Sequence, residues 1–187
     1  KNFRVSGFCG TPSFLLNIAE KTEEMGLDPK KDLTLRVGLV AAEMLPESLR
    51  SKLEEKFGMV IRQTYGTADV RCLGYECLKK NGMHIPDDKI VEIVDPATGQ
   101  PVKAGELGEV VVTRLNEIFF LFRFGTGDLS SMIESPCPCG RTSSRLNGIA
   151  GRVGDAVKVR GMFVAPSQLK RLAEYFPGIA FQIAVSR

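Results

Sequence analysis

The sequence predicts an α/β protein: a parallel βαβ layer, then an antiparallel β part, then the start of a smaller α+β unit. Three observations predict it. Helix-periodic and strand-like segments alternate up to Thr67, short strands separated by turn-rich segments begin near Lys89, and a new strand, turn and helix begin after Gly151.

Ser13 to Met25 sets Leu15, Leu16, Ile18 and Ala19 on one stripe, with Ser13 as the expected cap after Pro12 and Gly26 as the stop. Asp32 to Ala42 is apolar and β-branched enough for a buried strand. Pro46 to Phe57 is amphipathic with Pro in its first turn, which predicts a second helix. Val60 to Gln63 predicts a strand ending at Tyr65-Gly66-Thr67, and this strand, helix, strand order suggests parallel pairing with loops at the carboxyl ends. Further on, Ile90 to Val94, Gly108 to Thr113 and Phe119 to Arg123 read as strands. They are separated by the turns Asp95 to Gly99 and Lys103 to Glu106. Ala156 to Val159 predicts one more strand and Ser167 to Tyr175 a helix. These boundaries divide the chain into a βαβ part to about residue 75, a β-rich part over 76–150 and a further unit over 151–187.

The 187 residues carry 25 basic and 22 acidic side chains spread along their length, which leaves no electrostatic footprint for a nucleic-acid backbone. The longest apolar run, Ile118 to Phe122, is of strand length, so no membrane span is expected. The start at Lys1-Asn2-Phe3-Arg4 has neither an initiator Met nor a signal-peptide pattern and reads as a cut inside a larger gene product. Five cysteines, unevenly spaced, argue for a reducing, cytoplasmic setting over a disulfide framework.

Four constellations could carry chemistry. Tyr65-Gly66-Thr67-Ala68-Asp69 follows a predicted buried strand, where amides and the Thr67 hydroxyl could meet a phosphate and Asp69 could hold Mg²⁺. Alone, such a turn is commonplace. Arg123 to Leu129 contains Gly125 and Gly127, which permit close backbone approach, and Asp128, which could accept both hydroxyls of a ribose. A Gly-Thr-Gly-Asp run is also common without a ligand. Third comes Gly151-Arg152-Val153-Gly154-Asp155-Ala156-Val157-Lys158-Val159-Arg160-Gly161, followed by Pro166-Ser167-Gln168-Leu169. The fourth is chemically separate: Cys77 and His84 stand seven apart, and Cys137 and Cys139 bracket one Pro. Three thiolates and the only imidazole of the chain make a closed four-ligand set suited to structural, tetrahedral Zn²⁺. The alternative is a chance cluster of thiols with a surface histidine. Cys9 and Cys72 are left over and are expected to be buried as small apolar residues.

The first three motifs, in this order, resemble the adenylate-forming superfamily of acyl-CoA synthetases, luciferases and peptide-synthetase adenylation domains. Gly10-Thr11-Pro12-Ser13, Ala42-Glu43, Asp95 to Gln100, Gly105 to Glu109 and Cys137 to Arg141 resemble more closely the phenylacetate-CoA ligase family, over nearly the whole chain. That resemblance implies part of a large adenylation domain over 1–150 and, from 151, the hinge and start of a small C-terminal domain. It implies an ATP-dependent aryl- or acyl-acid CoA ligase: a carboxylate attacks the α-phosphate of Mg-ATP to give an acyl-adenylate and pyrophosphate, and the thiol of coenzyme A then displaces AMP. By position, Ala42 and Glu43 lie against the adenine, Tyr65, Gly66 and Thr67 line the adenine and α-phosphate site, and Asp128 holds the ribose. Arg152 reaches the nucleotide, and Gly154 with Asp155 stands at the hinge. Asp69 is the Mg²⁺-side carboxylate where the family usually has Glu, and Gly154 replaces a usual Asp. Similar Cys-x(6)-His and Cys-x-Cys pairs in many members add weight to zinc.

The resemblance further implies an aromatic-compound catabolic role and leaves room for a homodimer. Phe8, Phe14 and Val40 are candidates for the acyl pocket, each also readable as core. The family's phosphate-wrapping Ser/Thr/Gly-rich loop and its C-terminal Lys fall outside these residues, so the chain alone is expected to show no ATP-pyrophosphate exchange. Two alternatives stay open: a catalytically inactive zinc-stabilised adenylate-binding module, and an adenylyltransferase of the same superfamily.

Overall fold

The computed structural model describes residues 4–114, 120–155, 157–159, 162–164, 172–176 and 179. The chain divides into two compact units, residues 1–83 and 84–187.

In the first unit, β1 (Gly7–Gly10) leads into helix α1 (Pro12–Glu24), whose cap is Thr11, not Ser13. The Thr11 hydroxyl accepts from the Phe14 N–H at 3.2 Å, and Pro12 takes the first helical position, where no donor is needed. After Met25, Gly26 at φ 71° ends the helix. The expected long strand from Asp32 is shorter. Pro29 opens a one-turn helix α2 (Pro29–Asp32), capped by Asp28, so β2 spans only Val37–Val40. Helix α3 (Glu47–Phe57) ends at Gly58, which adopts the left-handed conformation at φ 64°. Strand β3 (Val60–Thr67) then runs parallel to β2, as β2 does to β1. The βαβ expectation therefore stands. Strand β3 continues through Tyr65-Gly66-Thr67, so these residues form a strand end and not a turn; the reversal comes at residues 68–70, before the antiparallel β4 (Arg71–Glu76).

One face of this sheet packs Val40 and Ile61 against Leu15 and Ala19 of α1 and Leu53 and Phe57 of α3. Leu53 is fully buried there, so Leu53→Ala is expected to cost about 2–5 kcal/mol, read as a lower urea midpoint at unchanged slope. The other face exposes Cys9, Val37, Leu39 and Val60, and Cys72 on β4 is exposed as well. The expectation that Cys9 and Cys72 are buried is thus wrong: strand alternation turns them away from the helices.

The short strand β5 (Met83–His84) leads into the second unit. There β6 (Ile90–Val94), β7 (Gly108–Arg114) and β8 (Leu121–Ser130) form an antiparallel meander, with β9 (Met132–Ile133) following. Asp95 makes the β6 turn by accepting from the Ala97 N–H at 2.8 Å, and Gly99 closes it at φ 67°. Strand β10 (Arg145–Leu146) pairs with β9, β11 (Gly151–Arg152) adds to β8, and β12 (Val157–Val159) pairs with β13 (Met162–Val164). The antiparallel expectation is met, but β8 is twice the expected length and absorbs the Gly125 to Asp128 motif into a strand. Leu172–Glu174 of the expected last helix are helical; Ser167, Arg160, Gly161, Pro166, Ala156 and Phe119 lie outside the described residues. Among the described residues, no helix is long and apolar enough to cross a membrane.

Candidate nucleotide and metal sites

Parallel pairing brings the carboxyl ends of β1, β2 and β3 to one edge of the first unit, where Gly10 aligns with Val40 and Val40 with Gln63. The residues immediately beyond are Thr11 to Ser13, Ala42-Glu43 and Tyr65 to Thr67. Ala42 sits at φ 67°, a left-handed conformation uncommon for a residue with a Cβ. Its neighbour Glu43 is held in place: one carboxylate oxygen accepts from the Ser13 hydroxyl at 2.7 Å and the other from the Ser13 N–H at 3.1 Å. The carboxylate therefore sits on the amino end of α1, where the helix dipole favours negative charge. Tyr65 is buried, and a strand irregularity separates it from Gly66. A Cβ on Gly66 would stand 2.2 Å from the Arg71 carbonyl oxygen, so only glycine fits. The Thr67 hydroxyl accepts from the Val70 N–H at 3.3 Å, and Asp69 is exposed on the turn beyond it.

The ribose candidate lies in the second unit. Asp128 on β8 is directly opposite Arg152 on β11, with Arg152 Nε 3.6 Å from Asp128 Oδ1. Gly127 adopts φ 74°, and a Cβ there would meet Arg152 Nη2 at 3.0 Å, so the guanidinium lies close over the glycine. Past Arg152 the backbone turns through residues 153–155, where the Asp155 N–H donates to the Arg152 carbonyl at 3.0 Å. Gly154 has no atom within 4 Å of a would-be Cβ, and both Gly154 and Asp155 are exposed.

Sequence reasoning missed Glu109. Its Oε1 accepts from the Gly127 N–H at 2.9 Å, while the Thr126 hydroxyl donates to the Val110 carbonyl and accepts from the Asp128 N–H at 3.1 Å. Together these bonds set the backbone that presents Asp128. If Asp128 holds a ribose, Glu109→Ala should weaken binding of a fluorescent AMP analogue by about 5- to 30-fold, as the part-buried Gly127 N–H loses its acceptor, whereas Glu109→Gln should bind nearly normally. The signal was a Glu on β7 paired with Leu129, two residues from Gly127 on β8, visible only once the register is known.

The thiols and imidazole also assemble. The ligand atoms of Cys77, His84, Cys137 and Cys139 lie within 4.8 Å of one another, and all but Cys139 are buried. Tetrahedral zinc with bonds of about 2.3 Å sets its sulfurs about 3.8 Å apart, so the donor set and its spacing fit that ion. His84 Nε2 faces Cys139 Sγ at 3.4 Å, and Nδ1 lies 2.9 Å from the Ser143 hydroxyl, which orients the ring. Burial, then the charges of Arg141 and Arg145, hold the His84 pKa below the ordinary imidazole value. The neutral form that a metal needs is thereby favoured. Arg141 Nη1 stands 3.7 Å from Cys139 Sγ.

The first unit is thus a parallel α/β layer with its loops gathered at the carboxyl edge of the sheet, and the second is antiparallel and carries the Asp128–Arg152 pair beside Gly127. The sequence pattern of the AMP-binding enzyme family matches residues 1–116, and the chain belongs to that family. The chain is 34% identical to a phenylacetate-coenzyme A ligase of Thermus thermophilus, an alignment covering all of this chain and 43% of that protein. It is 32% identical to the corresponding ligase of Escherichia coli, covering 100% of the chain and 44% of the relative. Among solved structures, a 2-hydroxyisobutyryl-CoA ligase in an open conformation with 2-HIB-AMP and CoA superimposes with TM-score 0.82 at 27% identity, covering 94% of this chain and 42% of that one. The chain thus spans less than half the length of these relatives.

Proposed function

We propose that the chain forms part of an AMP-forming ligase that activates an aryl or related carboxylic acid with ATP and passes the acyl group to coenzyme A. The observation that carries this reading is the cross-strand placement of Asp128 against Arg152 on a backbone fixed by Glu109. In the reading, the Asp128 carboxylate accepts from the ribose hydroxyls and Arg152 turns from Asp128 to the nucleotide. Ala42, Glu43 and Tyr65 flank the adenine, with Glu43 acting through its grip on Ser13. Gly66 and Thr67 line the α-phosphate, where the carboxylate oxygen attacks and pyrophosphate leaves; Asp69 serves the Mg²⁺ side. In the second step the coenzyme A sulfur attacks the acyl carbon and AMP departs. Gly154 and Asp155 form the hinge and residues 151–187 begin the small C-terminal domain, a hinge role supported by the open space around Gly154. Phe8 and Phe14, whose rings stack with centroids 6.3 Å apart, are the better candidates for the acyl pocket, because Val40 is committed to the core.

The test uses the longer protein that carries this chain, incubated with ATP, Mg²⁺, coenzyme A and a panel of aryl and aliphatic acids. AMP release dependent on both acid and coenzyme A is expected. AMP transfer onto an acceptor without any coenzyme A dependence would favour an adenylyltransferase, and no turnover with any acid would favour a binding module. The exposed, short-armed Asp69 is the observation that keeps the last reading in play.

For the cluster we propose structural Zn²⁺ held by Cys77, His84, Cys137 and Cys139. With four protein ligands there is no open position for water, so the ion ties loops together and takes no part in the chemistry. Metal analysis of protein purified without chelator should give about one zinc per chain, and less than about a tenth of an equivalent would sink the assignment.

A further inference from the structure

Helix α3 carries a buried charge network that the nucleotide chemistry does not use. Arg50 is 2% exposed, and its guanidinium makes a bidentate pair with Glu76, Nη1 to Oε2 at 2.8 Å and Nη2 to Oε1 at 2.7 Å. Its Nη1 also donates to the Ile61 carbonyl at 3.0 Å, and its Nε to Glu47 at 2.9 Å. Glu76 accepts two further bonds, from the Gln63 N–H at 2.8 Å and the Gln63 side-chain amide at 3.2 Å. Four of the five guanidinium N–H groups and both Glu76 carboxylate oxygens are engaged.

Glu76 is the residue immediately before Cys77. Beyond the cysteine, the Lys79 N–H points at Cys77 Sγ at 3.4 Å, the Lys80 N–H donates to the Cys77 carbonyl at 3.2 Å, and Lys80 takes φ 53°. The Lys80 ammonium then returns to α3 and pairs with Glu47 at 3.0 Å. The turn Cys77 to Lys80 is therefore held at both ends by one helix, through Arg50 on one side and Glu47 on the other. A buried ion pair adds little net stability over an apolar filling of the same shape, so its worth lies in fixing geometry.

We propose that the Glu47, Arg50, Glu76 and Lys80 network positions the Cys77 sulfur for metal binding. The proposal rests on the zinc reading given above. The four are positioning residues, acting through the turn and never touching the ion.

The experiment measures the rate at which metal-loaded protein gives up zinc to a chromophoric chelator, and the melting midpoint of loaded and chelated samples. Arg50→Lys breaks the bidentate pair and should speed release by about 10- to 100-fold, the usual scale for losing a partner that orients a ligand. Its midpoint loss should be larger in the loaded than in the chelated sample. Glu47→Gln, altered at a side chain 63% exposed, weakens both arms from the solvent side and decides the matter should Arg50→Lys fail to fold. It should also release zinc faster, with the cobalt-substituted protein keeping its thiolate charge-transfer band. Wild-type protein that holds no metal overturns both this proposal and the zinc reading. Wild-type protein that holds zinc, alongside a folded variant that releases it at the wild-type rate or loses equal midpoint loaded and chelated, overturns this proposal alone.

Discussion

Cys139→Ser should lose zinc and lower the melting midpoint by about 10–20 °C, as expected if about 5 kcal/mol is lost from a chain of this size. The loss follows from what surrounds the residue. The segment from Ser135 to Ser144 is without strand or helix, so on the zinc reading ligand bonds at Cys137 and Cys139 would replace a core. His84 is fully buried with Nε2 facing Cys139 Sγ, so removing that sulfur leaves a desolvated imidazole opposite a hydroxyl too weak a donor to keep zinc. Chelator added to wild-type protein should produce the same melting curve. The control is Cys72→Ser, exposed and outside the cluster, which should stay within about 0.5 kcal/mol of wild type. A Cys139→Ser protein that melts with wild type would show that the four side chains meet without a metal.

Asp128→Ala in the longer protein should reduce kcat/KM for ATP by about 100-fold or more. On the proposed reading, two charge-assisted hydrogen bonds to the ribose, each worth about 1.5–3 kcal/mol, are lost together, and each 1.4 kcal/mol is tenfold. The variant also frees Arg152 from its present carboxylate partner at 3.6 Å, so a fall in rate alone does not isolate the ribose contact. The decisive comparison is ATP against 2′-deoxy-ATP and 3′-deoxy-ATP. Wild-type protein should discriminate strongly against at least one deoxy analogue, and Asp128→Ala should treat all three nearly alike. Discrimination that survives the substitution would place the ribose elsewhere.

Local signals were enough for much of the fold. The stripe of Leu15, Leu16, Ile18 and Ala19 places α1, the amphipathic run after Pro46 places α3, and the turn residues Asp95 to Gly99 place a hairpin. These depend on period and backbone preference, which the chain carries residue by residue. The cap of α1 was off by two because Thr11 and Ser13 are equally good acceptors by type; Pro12 at the first helical position decides for Thr11, while Glu43 takes Ser13. The Tyr65 to Thr67 segment looked like a turn because Gly usually marks one, yet here the glycine is demanded by a strand neighbour, the Arg71 carbonyl. Arg50, on a helix read simply as amphipathic, is buried against Glu76 at the end of strand β4, which neutralises it.

The identity of the chemical groups was determined by the sequence alone: Asp128 and Arg152 in their motifs, and three thiols with one imidazole for a metal. Their company was decided only by the tertiary structure. Register across β7, β8 and β11 sets Glu109 beneath Gly127 and Arg152 opposite Asp128, and folding brings Cys137 and Cys139 to a histidine more than fifty residues earlier. Spacing along a chain constrains what a residue can do, but a contact between distant residues depends on which strands pair and which sheet face is covered. Those choices are made by the packing of the whole unit.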